Sequence, residues 1–575
     1  MNAELLIGPV LRRVVGTRAT IWVESSAPAV VEVRAAGGAR GSAPTFTAFD
    51  HHYALVVVDG LTPGATAAYE VFLDDRPVWP LPDSPYPASV IRTRLAEDNE
   101  QPVRLVFGSC REMTQHPTTR MLPPDALDAY ARRLMRGDGD EEGWPDLLVL
   151  LGDQVYADAP SPKVRRSLKR RRRPAEAPRD QVVTFNEYTA LYYESWRDPE
   201  IRWLFSTVPS VMIFDDHEVI DDWNTSASWR ADARRQSWWA ERIASGLASY
   251  WIYQHLGNLE PDEIAADPVY AKVVAAEDAT SVLREFGARV DKEADVSHDP
   301  EKWQAAQYQW SYSLDIGRTR LVMLDNRCSR VLEPGQRAML PAGEWAWFID
   351  QAHGSYDHLV VGASLPWLMP PGIHYLEAWN ERLADSPRGW VARGSELLRR
   401  GLDLEHWAAF QRSFVALATL FARIGAGDPG RSGERVGAGP AYAPPASISV
   451  LSGDVHHSYV ARADFPPGVR TPVHQLTASP IHNQVPAVMR PLMRLGWWRG
   501  PTAATRAMSR AAGLPKPVVR WRKLAGPYFG NALGTLTHAG RSAQVAIEGT
   551  TKRGELRLVA QTRLTDEPDG RGSGK

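Results

Sequence analysis

Apolar and polar positions alternate with a short period over the first part of the chain. Runs such as 19–23, 30–34 and 52–58 place hydrophobic residues near every second position, and glycine or proline turns separate the runs. This period is that of a strand with one buried face, and the regular spacing of the runs is typical of a β-sandwich. We therefore predict an all-β domain, immunoglobulin-like or fibronectin-like, over residues 1–96.

A different pattern begins near residue 103. Continuous apolar runs of four or five residues alternate with longer helical patterns, of which 185–196 and 236–255 are the clearest. Strands that are apolar throughout are buried on both faces, as in the parallel sheets of α/β proteins. The polar stretch 96–102 is the predicted linker, and residues 103–565 are predicted to form an α/β domain.

Six of these apolar runs lead into segments that are mostly rich in Cys, Asp, His and Arg. The run ends are Cys110-Arg111 after 104–107, Asp153 after 147–151, Asp215-Asp216-His217-Glu218 after 210–214, Asp325-Asn326-Arg327 after 320–324, Ser364 after 358–362, and Asp454-Val455-His456-His457 after 448–451. Ligands bind at the carboxyl ends of strands in open α/β sheets, so we expect these side chains to meet. A single Asp after a strand is more often a helix cap, and the recurrence is what favours a site.

The heptapeptide GDQVYAD at 152–158 is the most informative of these segments. Tyr156 lies three residues after Asp153, so the two side chains share a face if a helical turn begins there. A carboxylate and a phenol placed together at a strand end suit a hard cation that prefers oxygen ligands.

Two basic insertions interrupt the α/β pattern, at about 160–180 and at about 484–535. The first contains the run 163–173, which is predicted to be a solvated loop. The second lies in a stretch without Asp or Glu and interleaves arginines with tryptophan, leucine and methionine. We expect it to cover the site as a lid with basic side chains towards the cleft; a solvent-facing decoration and a membrane-surface role are the alternatives. Residues 566–575 are predicted to be a disordered tail.

Composition narrows the class of protein without identifying it. The 575 residues are 44% hydrophobic and 23% charged, and the formal net charge of −2 argues against a globally basic nucleic-acid-binding protein. The two cysteines, Cys110 and Cys328, do not suggest a disulfide framework. The start of the chain lacks the pattern of a signal peptide, and no run approaches the roughly 18 apolar residues of a membrane span. We expect a cytoplasmic protein, with a removed leader as the alternative.

The ordered set of motifs resembles a known family. The motifs are GSC at 108–110, GDQVYAD at 152–158, DDHE at 215–218, LDNR at 324–327 and SGDVHHS at 452–458. Together they resemble the PhoD-type alkaline phosphatases, a branch of the calcineurin-like metallophosphoesterases. The GPVLR segment at 8–12 also resembles the start of that family's leading domain. The resemblance covers nearly everything except the two basic insertions, and it implies a metallophosphoesterase β-sandwich flanked by helices.

The resemblance also implies two or more metal ions, with ferric iron and calcium as cofactors. The metal ligands that it implies by position are Cys110, Asp153, Tyr156, Asp216, Asp454 and His456. Cys110 and Tyr156 would bind the iron, and Asp153 would bridge the metals. His217 corresponds to the catalytic histidine, so His217 and Asp153 are the predicted catalytic residues.

The residue types suit this chemistry on physical grounds. A thiolate and a phenolate are strong donors to a trivalent iron. The carboxylates of Asp216 and Asp454 give the second site oxygen ligands, which favours calcium over zinc. His217 can protonate a leaving alkoxide or hold the phosphate. Arg111 and Arg327 also lie at strand ends and are candidate substrate-binding residues, with salt bridges as their alternative role.

The leading functional hypothesis is metal-dependent hydrolysis of phosphate esters by a metal-activated water, in a phosphomonoesterase and/or phosphodiesterase. The second hypothesis is a nuclease, or a phosphodiesterase that acts on anionic lipids or polymers through the basic insertions. The third is a non-catalytic binding protein on a phosphatase fold, which missing ligands would indicate, and no ligand position is lost. The expected partner is a phosphate-ester substrate, with an anionic polymer or lipid headgroup as the alternative, and no stable protein partner is inferred.

Overall fold

The structure is a computed structural model that describes seven segments of the chain. The described residues are 2–95, 101–113, 124–137, 143–173, 178–293, 308–427 and 443–565. Within these segments the backbone forms 22 strands in four sheets and 15 α-helices. The predicted tail at 566–575 and most of the predicted linker, residues 96–100, lie outside the described residues.

Nine strands form two antiparallel sheets at the start of the chain. They are β1 (Leu5–Val15), β2 (Arg18–Ser25), β3 (Val30–Ala35), β4 (Arg40–Pro44), β5 (Phe46–Ala48), β6 (His51–Val58), β7 (Thr66–Leu73), β8 (Arg76–Trp79) and β9 (Val90–Arg92). One sheet has the order β1-β2-β6-β5, and the other has β4-β3-β7-β8 with β9 paired to β7. Ile21 and Val23 of the first sheet share a hydrophobic cluster with Val31 and Val33 of the second. All nine elements of this region are strands, and its assignment as an immunoglobulin-like or fibronectin-like domain stays a prediction.

A six-stranded sheet joins three strands from the middle of the chain to three from its end. They are β10 (Val103–Gly108), β11 (Leu147–Leu151), β12 (Ser210–Ile213), β20 (Ala532–Ala539), β21 (Ser542–Thr550) and β22 (Leu556–Arg563). The order is β12-β11-β10-β20-β21-β22, with β10, β11 and β12 parallel. Because parallel neighbours end at the same edge, the loops after these three strands emerge side by side.

A seven-stranded sheet supplies the second large layer. Its strands are β13 (Tyr312–Ile316), β14 (Thr319–Met323), β15 (His358–Gly362), β16 (Ser447–Ser452), β17 (Ser458–Asp464), β18 (Val473–Thr477) and β19 (Arg520–Tyr528). The order is β13-β14-β15-β16-β18-β17-β19, and β14, β15, β16 and β18 are parallel. The six strands predicted from continuous apolar runs are therefore all confirmed.

Strand β11 shows why these runs are apolar throughout. Leu147, Val149 and Leu151 belong to a hydrophobic cluster that also contains residues of the seven-stranded sheet. Leu148 and Leu150 belong to a different cluster, formed with helices. Since successive side chains of a strand point to opposite faces, one face of the strand packs on the other sheet and the other face packs on helices.

The helices cover the outer faces of these sheets. They are α1 (Ala126–Met135), α2 (Pro162–Arg171), α3 (Phe185–Trp196), α4 (Pro199–Thr207), α5 (Ala227–Arg234), α6 (Trp239–Tyr250), α7 (Pro261–Ala266), α8 (Pro268–Ala275), α9 (Thr280–Glu293), α10 (Ala342–Gln351), α11 (Pro371–Ala384), α12 (Gly389–Gly401), α13 (Gln411–Ala426), α14 (Arg490–Leu495) and α15 (Arg499–Ala511). The predicted helix at 185–196 is confirmed, and the one at 236–255 is α6 followed by a π-helical turn at Trp251–His255. None of the described helices combines the length and the apolar composition needed to cross a bilayer.

The predicted loop at 163–173 is wrong, because most of it forms α2. Ser161 caps this helix by accepting a hydrogen bond from the amide of Val164 at 3.2 Å, and proline occupies its first position. Val164 and Leu168 are buried one helical turn apart. These two side chains anchor the helix, while its arginines and lysines face mainly outwards.

The stretch predicted as the second insertion, at about 484–535, contains both helices and sheet strands. Its helical part is α14 and α15, whereas β19 pairs with β17 at the edge of the seven-stranded sheet. Trp521 of β19 is buried, and its indole donates to the carbonyl of Met369 at 2.8 Å. The sequence around Trp521 is basic because Arg520, Arg522 and Lys523 of this edge strand are exposed.

The N-terminal sheets and the helices of the α/β region share one core. Trp22 of β2 lies 6.0 Å from Trp196 of α3 and 5.2 Å from Tyr253, between ring centroids. The buried guanidinium of Arg12 donates to the carbonyl of Gln254 at 2.6 Å. The boundary predicted near residue 100 therefore separates two patterns of sequence, but residues on both sides of it pack together in one core.

His255 ends the π-helical turn inside this shared core. Its ring is fully buried, and neither ring nitrogen has a hydrogen-bond partner among the described residues. The rings of Trp310 and Tyr308 lie 4.9 and 5.3 Å away between centroids. Burial, reinforced by the positive charge of Arg12, lowers the pKa of His255 to about 3. The folded protein therefore keeps this imidazole neutral in mildly acidic solution.

Replacing His255 with phenylalanine is expected to reduce the acid sensitivity of folding. The imidazole of the unfolded chain has a pKa of about 6.5, so below that pH the unfolded state binds a proton that the folded state does not. The contribution of neutral His255 to stability is complete above that pH and is lost as the pH falls towards 3. Urea unfolding should show wild type losing about 2 kcal/mol more than His255→Phe between pH 8 and pH 5.

Tyr250→Phe is the matched control for this measurement. The Tyr250 ring lies 6.1 Å from His255 between centroids, and its hydroxyl lacks a hydrogen-bond partner among the described residues. The control removes no group that titrates in this range, so it should change stability equally at both pH values. The same pH dependence in wild type and His255→Phe would contradict the argument.

Candidate metal centre

Loops that follow parallel strands bring the predicted ligands to one place. Cys110 follows β10, Asp153 follows β11, Asp216 follows β12 and Asp454 follows β16. Ligand atoms of Asp153, Asp216 and Asp454 lie within 4.8 Å of one another, and so do those of Cys110, Asp153 and His456. Asp153 belongs to both groups and therefore lies between them.

The turns that present these side chains have a left-handed backbone. Cys110, Asp153, Asp454 and His456 have φ angles of 59°, 53°, 62° and 48°. Each such residue costs of the order of 1 kcal/mol or more and persists only where its surroundings hold it. The buried carboxylate of Glu218 supplies part of this hold, because it accepts a hydrogen bond from the amide of Asp153 at 3.2 Å and bonds from two further amides.

Cys110 and Tyr156 both contact Asp153. The Cys110 thiol lies 3.4 Å from Oδ2 of Asp153, and the Tyr156 hydroxyl donates to the same oxygen at 3.3 Å. The helical turn expected at 152–158 does not form, and a series of bends brings the two side chains together instead. Burial raises the pKa of Cys110 to about 12 and raises the pKa of Tyr156 as well, so a cation is needed to deprotonate either group near neutral pH.

The buried carboxylates of this cluster repel one another when they are charged, and bound cations would compensate that charge. Oδ1 of Asp153 and Oδ2 of Asp215 are buried without a hydrogen-bond partner among the described residues. Burial raises the pKa of Asp216 to about 7 and raises that of Asp153 far above its usual range. Charged groups held out of water are costly unless an opposite charge compensates them. One side of the cluster offers carboxylate oxygens, which suit a hard cation such as calcium. The other side offers a thiol, a phenol and an imidazole, which suit a transition metal.

Arg327, a predicted substrate-binding residue, is fully buried within this cluster. Its guanidinium donates to Asp215 at 2.5 Å and to Glu405, and it lies 3.4 Å from Asp216. Arg330 is a second donor to Glu405, at 2.9 Å. These contacts make Arg327 a counter-charge to the buried carboxylates, as its salt-bridge alternative expects, and its contact with phosphate stays a prediction.

Arg111, the other predicted substrate-binding residue, is also enclosed. Its Nε donates to Asp125 at 2.7 Å, and its Nη1 donates to the hydroxyl of Ser195 at 2.9 Å. Asp125 is the N-cap of α1, and Ser195 belongs to α3. Arg111 therefore ties the loop after β10 to two helices, and its contact with a phosphate stays a prediction.

His217 lies at the more open side of the cluster. Its Nδ1 is 2.9 Å from Asp158, and its side chain retains 19% exposure. Ligand atoms of Asp153, Asp216 and His217 fall within 4.8 Å of one another. Burial alone lowers the pKa of His217, but the carboxylates of Asp158 and Asp153 outweigh that effect and raise it well above the usual value. Asp158, which the heptapeptide contains but to which we assign no role from sequence, fixes the orientation of this ring.

Asn483 is a site residue that no sequence motif indicates. Its amide donates to the Tyr156 hydroxyl at 3.0 Å and lies 3.4 Å from Nε2 of His456. The available signal is the strand pattern at 474–477, since β18 runs parallel to β16 and ends at the same edge. The residue just before the second insertion thus reaches the site, whereas α15 packs on α11.

His406 and Glu377 support Asp454 from outside the cluster. Nε2 of His406 lies 3.4 Å from Asp454, and its Nδ1 lies 2.8 Å from Glu377. Although burial opposes it, the nearby imidazole of His406 and the charge of Arg327 hold the pKa of Asp454 below its usual value. Chains of carboxylate, histidine and ligand orient metal ligands in proteins. Neither residue follows a strand, so the strand-end pattern could not indicate them.

The fold and the site together define an α/β protein with a cluster of metal-ligand side chains at its strand ends. Within that class, residues 125–281 match the family model of the PhoD-like phosphatases. The matched segment contains the loops after β11 and β12, and therefore Asp153, Tyr156, Asp216 and His217. The resemblance to PhoD-type phosphatases is confirmed by this match and by the solved structure described next.

A solved structure supports the same assignment at the level of the fold. The protein described as "Structure of PhoD" aligns with a TM-score of 0.57 at 13% identity, over 98% of this chain and 92% of that chain. A maltogenic amylase from S. marinus aligns at 10% identity over 96% of this chain and 80% of that chain. Its TM-score of 0.15 is too low to indicate a shared fold. Residues 2–91 match a domain of unknown function (DUF7800). No curated protein sequence matches the chain.

Adding metal ions to chelator-treated protein is expected to raise its unfolding temperature. An ion that binds only the folded state stabilises it by about 2.7 kcal/mol when its free concentration is ~100 times its Kd. Asp153→Asn removes the carboxylate common to both ligand groups and should lose most of this increment. Thermal unfolding with and without calcium or ferric iron measures the effect.

Asp464→Asn is the control for this measurement. Asp464 is half-exposed at the end of β17, outside the cluster, so its variant should respond to metal as wild type does. If Asp153→Asn gained as much stability from metal as wild type, the ions would bind elsewhere.

Proposed function

We propose that this protein hydrolyses phosphate esters, as a phosphomonoesterase and/or phosphodiesterase, with metal ions held at the strand-end cluster. The observation that carries the proposal is the convergence of six ligand-type side chains, from loops far apart in sequence, beside a histidine that a carboxylate orients. The match to the PhoD-like phosphatases supports a phosphate ester as the substrate.

The cluster offers two different environments for cations. Cys110, Tyr156 and His456, together with Asp153, form the side proposed to hold ferric iron. The carboxylates of Asp153, Asp216 and Asp454 form the side proposed to hold calcium, which prefers oxygen ligands. When bound, such ions neutralise phosphate charge and lower the pKa of a water molecule.

The residues of the chain itself supply orientation and proton transfer. Asp158 accepts a hydrogen bond from Nδ1 of His217. Nε2, which lies 3.7 Å from the exposed Asp221, is the nitrogen proposed to donate a proton to a leaving alkoxide. Arg327 holds the position of Asp215 and Glu405, and His406 holds that of Asp454, so the acidic cluster is set before substrate arrives. Preorganisation of this kind is effective because the groups need not reorient during the reaction.

His217→Ala is expected to slow hydrolysis of an aryl phosphate or a bis-aryl phosphodiester by roughly two to four orders of magnitude, the usual contribution of a positioned acid. Metal content measured by elemental analysis should remain that of wild type. His353→Ala, beyond the end of α10, is the control and should keep full activity. Comparing the two substrates also establishes whether monoesters or diesters are preferred. A purified, metal-loaded protein that hydrolysed neither would refute the proposed function.

The iron assignment predicts a coloured protein. Phenolate or thiolate bound to ferric iron gives a charge-transfer band in the visible range. Tyr156→Phe should shift or weaken that band, whereas Tyr86→Phe, in the N-terminal region, should leave it unchanged. A colourless and fully active enzyme without iron would show that another metal occupies this side.

A further inference from the structure

Exposed large hydrophobic side chains are concentrated on one group of helices. We call this group the outer layer and define it as residues 371–402 and 488–518, which contain α11, α12, α14 and α15. Fifteen large hydrophobic side chains are exposed among the described residues, and nine of them lie in this small part of the chain. The nine are Trp390, Leu397, Leu402, Val488, Leu492, Leu495, Trp498, Met508 and Val518.

The helices of the outer layer flank a single central helix, α11. On one side, Ser509 of α15 donates from its hydroxyl to the carbonyl of Tyr375 at 2.6 Å. On the other side, the amide of Asn380 donates to the carbonyl of Ser395 in α12 at 2.8 Å. Since α12 and α15 contact different sides of α11, the three helices lie next to one another in one layer.

The outward face of this layer is apolar at its centre. Leu376, Trp379 and Leu383 are spaced by three and four residues on α11 and are only partly buried, opposite the buried side of the helix. On α12, Trp390 and Leu397 are seven residues apart and keep 75% and 74% exposure. Single exposed hydrophobic residues are ordinary, but a group of this size marks an interaction surface.

The exposed charges of the outer layer are all positive. The exposed ionisable side chains of the outer layer are Arg382, Arg388, Arg393, Arg494, Arg499, Arg510 and Lys516. Its four carboxylates are buried or half-buried. Asp385 accepts a bond from the amide of Gly335, and Glu396 accepts one from Arg400. The surface therefore combines apolar side chains with positive charge that no exposed carboxylate of the layer offsets.

We propose that the outer layer docks on the surface of a bilayer that contains anionic lipids. Tryptophan and leucine side chains enter the boundary between headgroups and acyl chains, while arginine and lysine pair with lipid phosphates. A second copy of the chain would set arginine against arginine, which disfavours it as the partner. An anionic polymer would pair with the arginines and leave Leu397, Leu492 and Val488 in water.

The outer layer also borders the metal-ligand cluster. The guanidinium of Arg494 lies over the ring of Phe529, 5.1 Å from its centroid. Phe529 in turn stacks on His457 at 5.6 Å, next to the predicted ligand His456. Docking through this layer would therefore bring the site close to the headgroup region. Binding to a membrane can be measured without hydrolysis, so this proposal and the proposed function can fail separately.

The test is flotation of the full-length, metal-loaded protein with vesicles of phosphatidylcholine, with and without phosphatidylglycerol. Wild type should float with the anionic vesicles and much less with the neutral ones, and binding should weaken as salt increases. Removing exposed apolar groups in the triple variant Trp390→Ser, Leu397→Ser, Trp498→Ser should weaken binding at least about tenfold. The variant Arg393→Gln, Arg499→Gln, Arg510→Gln should weaken binding and reduce its dependence on salt.

A matched control separates this surface from general hydrophobicity. Val30→Ser, Leu81→Ser and Leu558→Ser together remove three exposed apolar side chains outside the outer layer and should leave flotation unchanged. Unfolding temperature and hydrolysis of a small aryl phosphate should stay at wild-type values in all three variants, because none of the changed residues lies in the metal centre.

Four outcomes would overturn the proposal. The first is that wild type does not float with anionic vesicles, and the second is that the apolar variant floats as well as wild type does. The third is that the protein forms a dimer in solution which the apolar variant does not form. The fourth is that the protein binds polyphosphate or nucleic acid instead of vesicles, and that this binding depends on the arginines alone. The third result would make a second copy the occupant of this face, and the fourth would make it an anionic polymer.

Discussion

Carboxylates held out of water at the ends of the parallel strands constrain the rest of this structure. Asp153, Asp215, Asp216 and Asp454 place oxygen atoms within 4.8 Å of one another, so each negative charge raises the cost of the next. Arg327 reaches three of the four, but one guanidinium cannot balance them all. Cations bound here would relieve this repulsion, and the stability of the strand ends would then depend on metal binding.

The backbone is strained where it brings these groups together. Gly152 has a φ of +100°, and a Cβ at that position would lie 2.5 Å from the Cβ of Asp215. The neighbouring Asp153 is left-handed without being glycine. Such turns persist because the strands before them are fixed on both faces, one by the opposite sheet and one by helices. The rigidity of the two cores thus sustains the geometry of the site.

The sequence reveals those parts of the site that are local. Cys110 and Asp454 could be predicted because each is the third residue after an apolar run, and the order of the motifs then indicated the family. Asn483 and His406 could not, because their position depends on how distant segments return to the strand ends. The basic run 163–173 is predicted to be a loop because of its many charges, although Val164 and Leu168 lie at helical spacing within it. Nor does sequence show whether a strand-end arginine meets substrate or a buried carboxylate, since its partners lie far along the chain.

The aromatic junction between the N-terminal sheets and the α/β region makes the first ninety residues part of the enzyme's scaffold. Separating the two at the linker would leave Trp196 and Tyr253 facing water on one piece and Trp22 on the other. The N-terminal sheets therefore cover the apolar side of the helices that pack behind β12, and the two regions stabilise each other. Substitutions in the first of these sheets would therefore disturb the packing behind the metal-ligand cluster and reduce activity, although they change none of the cluster's own side chains.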